Sequence, residues 1–146
     1  PASGEQPARI LYTRDYFRSA LHEIAHWCIA GDRRRQRRDY GYWYAPDGRD
    51  ADQQRRFLRV EEKPQALELV FCAACGHDFF VSLDNLDGQG GDATAFEAAV
   101  FGRARHWLEQ GTLPVRAHAW VDALARWYER PFPNGKGLME VFRRVA

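Results

Sequence analysis

The stretch "HEIAH" at residues 22–26 offers the clearest chemistry in the chain. Residues four apart are neighbours on a helix surface, so His22 and His26 can present two imidazole nitrogens to one ion. Glu23 projects to the side of that pair, where it could contact a metal-bound water or a substrate. If these were ordinary helix histidines, an acid and two imidazoles on an otherwise apolar helix would lack a partner. The pattern therefore predicts a metal site on a helix.

Two histidines do not hold a catalytic metal alone, so a third ligand must come from another segment. Glu61 and Glu62 are the better candidates, because they lie beside Pro64 in a segment that must pack against the first helix to form one core. Glu68 lies further along, and we expect it to be solvated. The remaining histidines follow a helix end or lie in amphipathic helices and are weaker candidates: His77, His106 and His118.

A site with two histidines and one carboxylate is consistent with two kinds of enzyme. With zinc and a water activated by the glutamate of the motif, it is a peptidase site. With Fe(II) and open coordination positions, it is an oxygenase site. The spacing of the ligands leaves both alternatives open.

The segments that carry these residues are predicted to be helical. Apolar residues recur at three-and-four spacing over residues 14–30, which predicts the helix that carries both histidines. A second helical stretch covers residues 52–75 and is closed by Gly76. Within it, Pro64 predicts either a kink or two helices that meet near residues 61–63. Three further helices are predicted: 93–110, 112–130 and a short one from 138.

Extended segments are fewer. Residues 79–83 alternate well enough to be a strand, and the aromatic run at 40–44 before the turn at 46–48 predicts a short hairpin or extended loop. Residues 84–92, with three glycines, are predicted to form a loop. The predicted fold class is therefore α+β and mainly helical. We expect a single domain over residues 1–146, with a zincin-like metal-binding helix pair and a small strand or hairpin.

The composition limits the class of protein. A chain of 146 residues with 45% apolar residues can bury one core without disulfides. Its 21 basic and 20 acidic residues leave a formal charge of +1, so no overall field favours nucleic acid or an acidic membrane. Three cysteines do not make a disulfide framework and favour a reducing, cytoplasmic compartment. No apolar run approaches the roughly 18 residues that span a bilayer. We expect residues 1–8 to be a loop and an N-terminal segment to be missing.

Two other stretches carry alternatives. Cys72 and Cys75 have the spacing of a zinc knuckle or redox pair, but without a second pair we expect buried core thiols. The arginine-rich run at 33–38 is followed by aromatic residues, a combination also found in proteins that bind single-stranded nucleic acid. We favour a solvated face at a helix C-terminus, where cations suit the helix dipole. A non-enzymatic adaptor that docks a partner through this run is the alternative.

Four segments extend the pattern beyond the metal motif: "HEIAHWCIAG" at 22–31, "DYGYWYAPDGRDA" at 39–51, "VEEKPQALELVFC" at 60–72 and "VSLDNLDG" at 81–88. In this order and near this spacing they resemble the elongation factor P hydroxylase family, over most of residues 10–130. Glu61 matches the acid of the family's E-x-K-P-Q-A pattern. The resemblance therefore favours Glu61 over Glu62 as the carboxylate ligand.

The resemblance implies an iron-dependent hydroxylase, a monooxygenase that modifies the β-lysylated lysine of translation elongation factor P. In that case His22, His26 and Glu61 would hold Fe(II) and leave positions for dioxygen. Glu23 would orient a bound water or the cationic amine of the substrate, rather than act as a peptidase base. The alternative is a zinc metallopeptidase with the same H-E-x-x-H motif and a Glu ligand.

A long lysine-type side chain needs an apolar channel with a carboxylate at its end. Tyr42, Trp43 and Tyr44 could line this channel, and Asp47 or Asp84 could meet the ammonium group. The sequence marks no electron donor and no arginine typical of a 2-oxoglutarate site, and another divalent metal could also bind. Elongation factor P is the expected partner, and we expect neither nucleic acid nor a membrane to be one.

Overall fold

The computed structural model describes residues 7–12, 16–37, 49–83 and 93–144. In these residues the chain forms six helices. They are α1 (Phe17–Ile29), α2 (Asp32–Arg35), α3 (Ala51–Cys75), α4 (Ala93–Gln110), α5 (Val115–Trp127) and α6 (Gly135–Val141). Because α3 packs against α1, α4, α5 and α6, it lies at the centre of the fold. The prediction of a mainly helical domain is confirmed.

The sequence of α3 suits this central position. A capping box starts the helix, because the Asp50 side chain accepts from the Gln53 N–H and the Gln53 side chain accepts from the Asp50 N–H. Every residue from 64 to 75 is buried, so this half of the helix is covered on all sides. Gly76 ends α3 with a φ of 73°, in the left-handed region that favours glycine.

Pro64 lies inside α3 without dividing it into two helices. Of the two alternatives, the one with two helices that meet near residues 61–63 is therefore wrong, and the kink stays a prediction. Proline lacks an N–H, so the carbonyl of Val60 loses its helical hydrogen bond, and the cost in a helix interior is about 3 kcal/mol. The packing of α3 against four other helices outweighs that cost.

The first helix turns an apolar stripe towards the core. Leu21, Ala25 and Cys28 are buried at helical spacing on α1. At the C-terminal end of this helix, Arg116 of α5 donates hydrogen bonds to the carbonyl oxygens of Cys28 and Ala30, at 2.9 and 2.7 Å. A cation suits this end because the last carbonyls of a helix have no intrahelical partner. These contacts hold the helix that carries both motif histidines.

Side-chain hydrogen bonds hold the segment at residues 79–83, which was predicted to be a strand. Within the described residues the only strand-like pairing is one parallel bridge between Phe79 and Phe142. The Gln65 amide donates to the Ser82 carbonyl at 2.8 Å and accepts from the Ser82 N–H at 2.9 Å. A backbone whose polar groups are satisfied in this way needs no neighbouring strand. The predicted strand is therefore not confirmed.

The rest of the predicted β structure lies outside the described residues. This holds for the hairpin expected before residue 49 and for the loop expected at residues 84–92. The described residues therefore confirm the helical part of the prediction, but neither the α+β class nor the zincin-like arrangement. No helix in the described part of the chain is long and apolar enough to cross a membrane.

The three cysteines are free and buried: Cys28, Cys72 and Cys75. This confirms the prediction that Cys72 and Cys75 are core thiols. Burial raises the pKa of Cys28 to about 11 and raises the pKa of Cys72 well above its usual value. These thiols therefore stay protonated near neutral pH.

Candidate metal centre

The two motif histidines lie one turn apart on α1 and face Glu61 of α3. Their Nε2 atoms are 2.9 Å apart. One Glu61 oxygen lies 3.4 Å from His22 Nε2, and the other lies 3.4 Å from His26 Nε2. Among the described residues, this is the one group of at least three His, Cys, Asp or Glu side chains whose ligand atoms all lie within 4.8 Å of one another. The fold thus brings together the three residues that the sequence and the resemblance singled out.

The distances between these atoms suit a shared ion. Two ligand atoms that each lie about 2.1 Å from one zinc-sized ion are about 3.0 Å apart at a right angle and about 3.4 Å apart at the tetrahedral angle. The separations of 2.9 and 3.4 Å in the cluster match these values. Two imidazoles and one carboxylate are donors that both zinc and iron accept. The donor set therefore fits a divalent ion without selecting the metal.

The charges in the cluster also favour a cation. Burial alone would lower the pKa of His22, but hydrogen bonds to Glu61 and Glu68 outweigh it and raise this pKa from 6.5 to about 10. Burial alone would raise the pKa of Glu61, but hydrogen bonds to His22 and His26 lower it from 4.5 to about 2. Without a metal, a proton on His22 supplies the positive charge between the two carboxylates. A bound metal ion would replace that proton.

Glu68 contacts the other ring nitrogen of His22, with its Oε2 2.9 Å from Nδ1. The Glu68 side chain is only 4% exposed, so the expectation that it is solvated is wrong. Glu68 follows Glu61 by seven residues, which is two helical turns, so both carboxylates lie on one face of α3. This face packs against α1, and that packing buries Glu68. The seven-residue spacing is visible in the sequence, but the helix that covers it is not.

Arg18 is a further residue that the sequence analysis missed. Its Nε and Nη2 atoms donate to Glu68 Oε1 at 3.0 and 2.8 Å. Nη2 also donates to the carbonyl of Phe80, at 2.7 Å. Arg18, His22 and His26 recur every four residues, so α1 presents one basic row to the acidic face of α3. This spacing was the signal that could have identified Arg18.

The acids next to the proposed ligands do not belong to the group of converging ligand atoms. Glu62 pairs with Arg103 of α4, whereas Glu61 contacts the two histidines. Glu23 is partly buried, and its side chain forms no hydrogen bond or ion pair with the described residues. The catalytic role of Glu23 stays a prediction.

The other histidines do not join the cluster. The ring N–H of His77 at Nδ1 donates to the Asp78 carbonyl at 2.9 Å. His118 lies 3.4 Å from the Asp122 carboxylate on an exposed face of α5. His106 is exposed on α4. Their assignment as weaker ligand candidates agrees with these positions.

The predicted substrate-binding residues lie outside the described part of the chain: Tyr42, Trp43, Tyr44, Asp47 and Asp84. Arg49 follows the segment that holds the first four of these residues, and Leu83 directly precedes Asp84. Both Arg49 and Leu83 contact Gln54 of α3. Gln54 accepts from Arg49 Nε at 2.9 Å and donates to the Leu83 carbonyl at 2.8 Å. Gln54 precedes Glu61 by seven residues, so it lies on the same face about 10 Å along the helix axis. Arg49 and Leu83 are therefore held at a residue that lies two helical turns from Glu61.

Comparison with known proteins gives matches that cover most of the chain. The family model described as "Elongation factor P hydroxylase" matches residues 1–136. A curated protein from Haemophilus influenzae, named "Elongation factor P lysine hydroxylase", is 47% identical over 129 residues. That alignment covers 88% of this chain and 72% of the Haemophilus protein.

Proposed function

The chain belongs to the elongation factor P hydroxylase family, and we propose that it hydroxylates the β-lysylated lysine of elongation factor P with Fe(II) bound by His22, His26 and Glu61. The observation that carries the proposal is the convergence of these three side chains from α1 and α3. The name of the Haemophilus relative supports lysine hydroxylation as the reaction. The choice of iron rests on the family resemblance and on the need to activate oxygen.

Hydroxylation converts a C–H bond of the substrate into C–OH. One atom of dioxygen enters the product, the other leaves as water, and an external two-electron donor completes the balance together with two protons. Bound Fe(II) would supply the activation of dioxygen at coordination positions that the protein leaves open. The neutral rings of His22 and His26 and the carboxylate of Glu61 would hold the ion.

Glu23 is assigned a role beside the ion rather than on it. It directly follows His22 on α1, and its side chain has no hydrogen-bond or ion-pair partner among the described residues. A free carboxylate at this place suits a water molecule or the cationic amine of the substrate. We therefore assign Glu23 to orient one of these two groups.

The substrate side chain is long and ends in a cationic group. We assign Tyr42, Trp43 and Tyr44 to an apolar channel that accepts its methylene groups, and Asp47 or Asp84 to its ammonium group. Support for these roles comes from the sequence and from the anchoring of both flanking segments at Gln54. Because the substrate is a translation factor, the proposal places the reaction in the cytoplasm.

Intact-mass spectrometry tests the proposal directly. β-Lysylated elongation factor P is incubated with the iron-loaded protein and a reductant, under oxygen and under argon. We expect a product heavier by one oxygen atom under oxygen and an unchanged mass under argon. An unchanged mass in both would refute the hydroxylase assignment.

Two controls sharpen this experiment. Glu61→Gln removes a proposed ligand, whereas Glu62→Gln removes the neighbouring carboxylate that pairs with Arg103. Only the first should abolish the gain of mass. The same three donors also suit zinc, so a zinc-loaded sample is included, and cleavage of the substrate without oxygen would favour a metallopeptidase instead.

A further inference from the structure

A second layer of polar side chains lies behind His22. Glu68 is hydrogen-bonded to His22 Nδ1 through Oε2 and accepts two hydrogen bonds from Arg18 through Oε1. The Glu68 side chain is 4% exposed and the Arg18 side chain 27%. Neither residue belongs to the group of converging ligand atoms. A buried ion pair often stabilises a fold no more than apolar packing would. Stability alone therefore does not explain why the Arg18–Glu68 pair lies behind a proposed metal ligand.

This layer determines which nitrogen of His22 carries a proton in the neutral ring. Arg18 has only N–H donors, so the Glu68 carboxylate is the acceptor on that side. The Glu68 carboxylate also accepts the hydrogen bond at Oε2, so His22 Nδ1 must be the donor of that bond. Nε2 then keeps its lone pair, and this atom lies 2.9 Å from His26 Nε2 and 3.4 Å from Glu61. The lone pair is therefore available to an ion in the cluster.

Arg18 connects Glu68 to a third part of the chain. Its Nη2 donates to the carbonyl of Phe80 at 2.7 Å. Its guanidinium carbon lies 5.2 Å from the centroid of the Phe79 ring and 5.6 Å from that of Phe80. Phe79 is fully buried. Glu68 is thus held between α1, α3 and residues 79–80, and it cannot turn away from His22 without breaking these contacts.

We propose that Glu68 and Arg18 are positioning residues for the metal: Glu68 holds His22 with Nε2 free for the ion, and Arg18 holds Glu68 in place. This inference rests on the metal site in the proposed function. Neither residue touches the ion, so their effect is on the orientation and basicity of His22. Outer hydrogen bonds of this kind change metal affinity by about 10- to 100-fold.

The test measures Co(II) binding rather than turnover. Co(II) is stable in air, and its visible absorption spectrum reports the arrangement of its ligands. Its affinity is measured by competition with a chromophoric chelator for the wild type, Glu68→Ala and Glu68→Gln. In Glu68→Ala we expect about 10- to 100-fold weaker binding and a changed spectrum. Glu68→Gln should lose less, because its amide oxygen can still accept from His22 Nδ1.

Glu62→Ala is the matched control. Glu62 lies on the same helix and also pairs with an arginine, but its partner is Arg103 of α4. Its removal should leave the Co(II) affinity and spectrum unchanged. Wild-type affinity and spectrum in a folded Glu68→Ala would overturn the positioning role. If circular dichroism shows that the alanine variant is unfolded, Glu68→Met decides, because methionine is of similar size but offers His22 Nδ1 no oxygen acceptor, and unchanged affinity there overturns the role as well.

Failure of the proposed metal site would look different. In that case the wild type would bind no Co(II), or His22→Ala would bind it as tightly as the wild type. Either result overturns the metal site and the positioning role together. Normal binding by the wild type with no effect of Glu68→Ala removes only the positioning role.

Discussion

The hydrogen bonds between Gln65 and Ser82 should hold residues 79–83 against α3, and Gln65→Leu tests this. Gln65 is 1% exposed, and its amide makes two hydrogen bonds to the Ser82 backbone, of 2.8 and 2.9 Å. Leucine is of similar size, so the change removes the hydrogen bonds without opening a large cavity. The segment matters for the site because its Phe80 carbonyl binds Arg18.

The expected magnitude follows from the number of bonds that are lost. A buried hydrogen bond contributes about 0.5–1.5 kcal/mol net, so two contribute about 1–3 kcal/mol. For a chain of this length, that loss lowers the melting temperature by roughly 2–12 °C. The Ser82 amide, which donates to Gln65 in the wild type, should exchange its hydrogen about 5 to 150 times faster if the same free energy opens it locally.

Thermal unfolding and amide hydrogen exchange measure these two effects. The added apolar surface of leucine can offset part of the loss in global stability, so exchange at Ser82 is the decisive readout. Gln110→Leu is the control, because Gln110 is exposed at the end of α4 and its side chain has no hydrogen-bond partner among the described residues. Wild-type exchange at Ser82 in Gln65→Leu would refute the argument that side chains replace a neighbouring strand.

Three further predictions concern the metal cluster and the thiols. Glu61→Gln should abolish tight Co(II) binding in equilibrium dialysis and Glu62→Gln should not; equal losses would contradict the choice of ligand. Because the pKa of His22 is raised from 6.5 to about 10 in the metal-free fold, its stabilising contribution is complete below pH 6.5 and is lost as the pH rises through about 10. Denaturant titrations should show that loss in the wild type and a smaller one in Glu61→Gln, and parallel pH curves would argue against it. The three buried thiols are those of Cys28, Cys72 and Cys75. They should resist alkylation by iodoacetamide in the native protein and react after denaturation, which mass spectrometry can count. Rapid labelling of the native protein would disprove their burial.

Two of the three proposed ligands could be predicted because they lie on one helix. The four-residue spacing of His22 and His26 needs only helical periodicity to place both rings on one face. The residues alone left Glu61 and Glu62 as alternatives, and the family resemblance favoured Glu61. The fold agrees with that choice, since Glu61 faces the histidines and Glu62 faces Arg103. Helix positions were predictable for the same reason, within a few residues at their ends.

Where the sequence analysis went wrong, the outcome depended on which element packs against which. Pro64 was expected either to kink a helix or to separate two helices, and α3 is one continuous helix that packs against four others. Residues 79–83 have the alternation of a strand, yet Gln65 satisfies the Ser82 backbone, and Gln65 lies 17 residues earlier in the chain. Local pattern does not show such a distant partner.

The sequence by itself determined that two imidazoles share a helix face and that an acidic segment follows in a second helix. Only the tertiary structure decided the environment of Glu68, which was expected in solvent and is instead buried between Arg18 and His22. The physical reason is that the environment of a charged side chain depends on the surface placed over it. In α3, the face that carries Glu61 and Glu68 is covered by the basic row of α1, and neither helix alone specifies that contact.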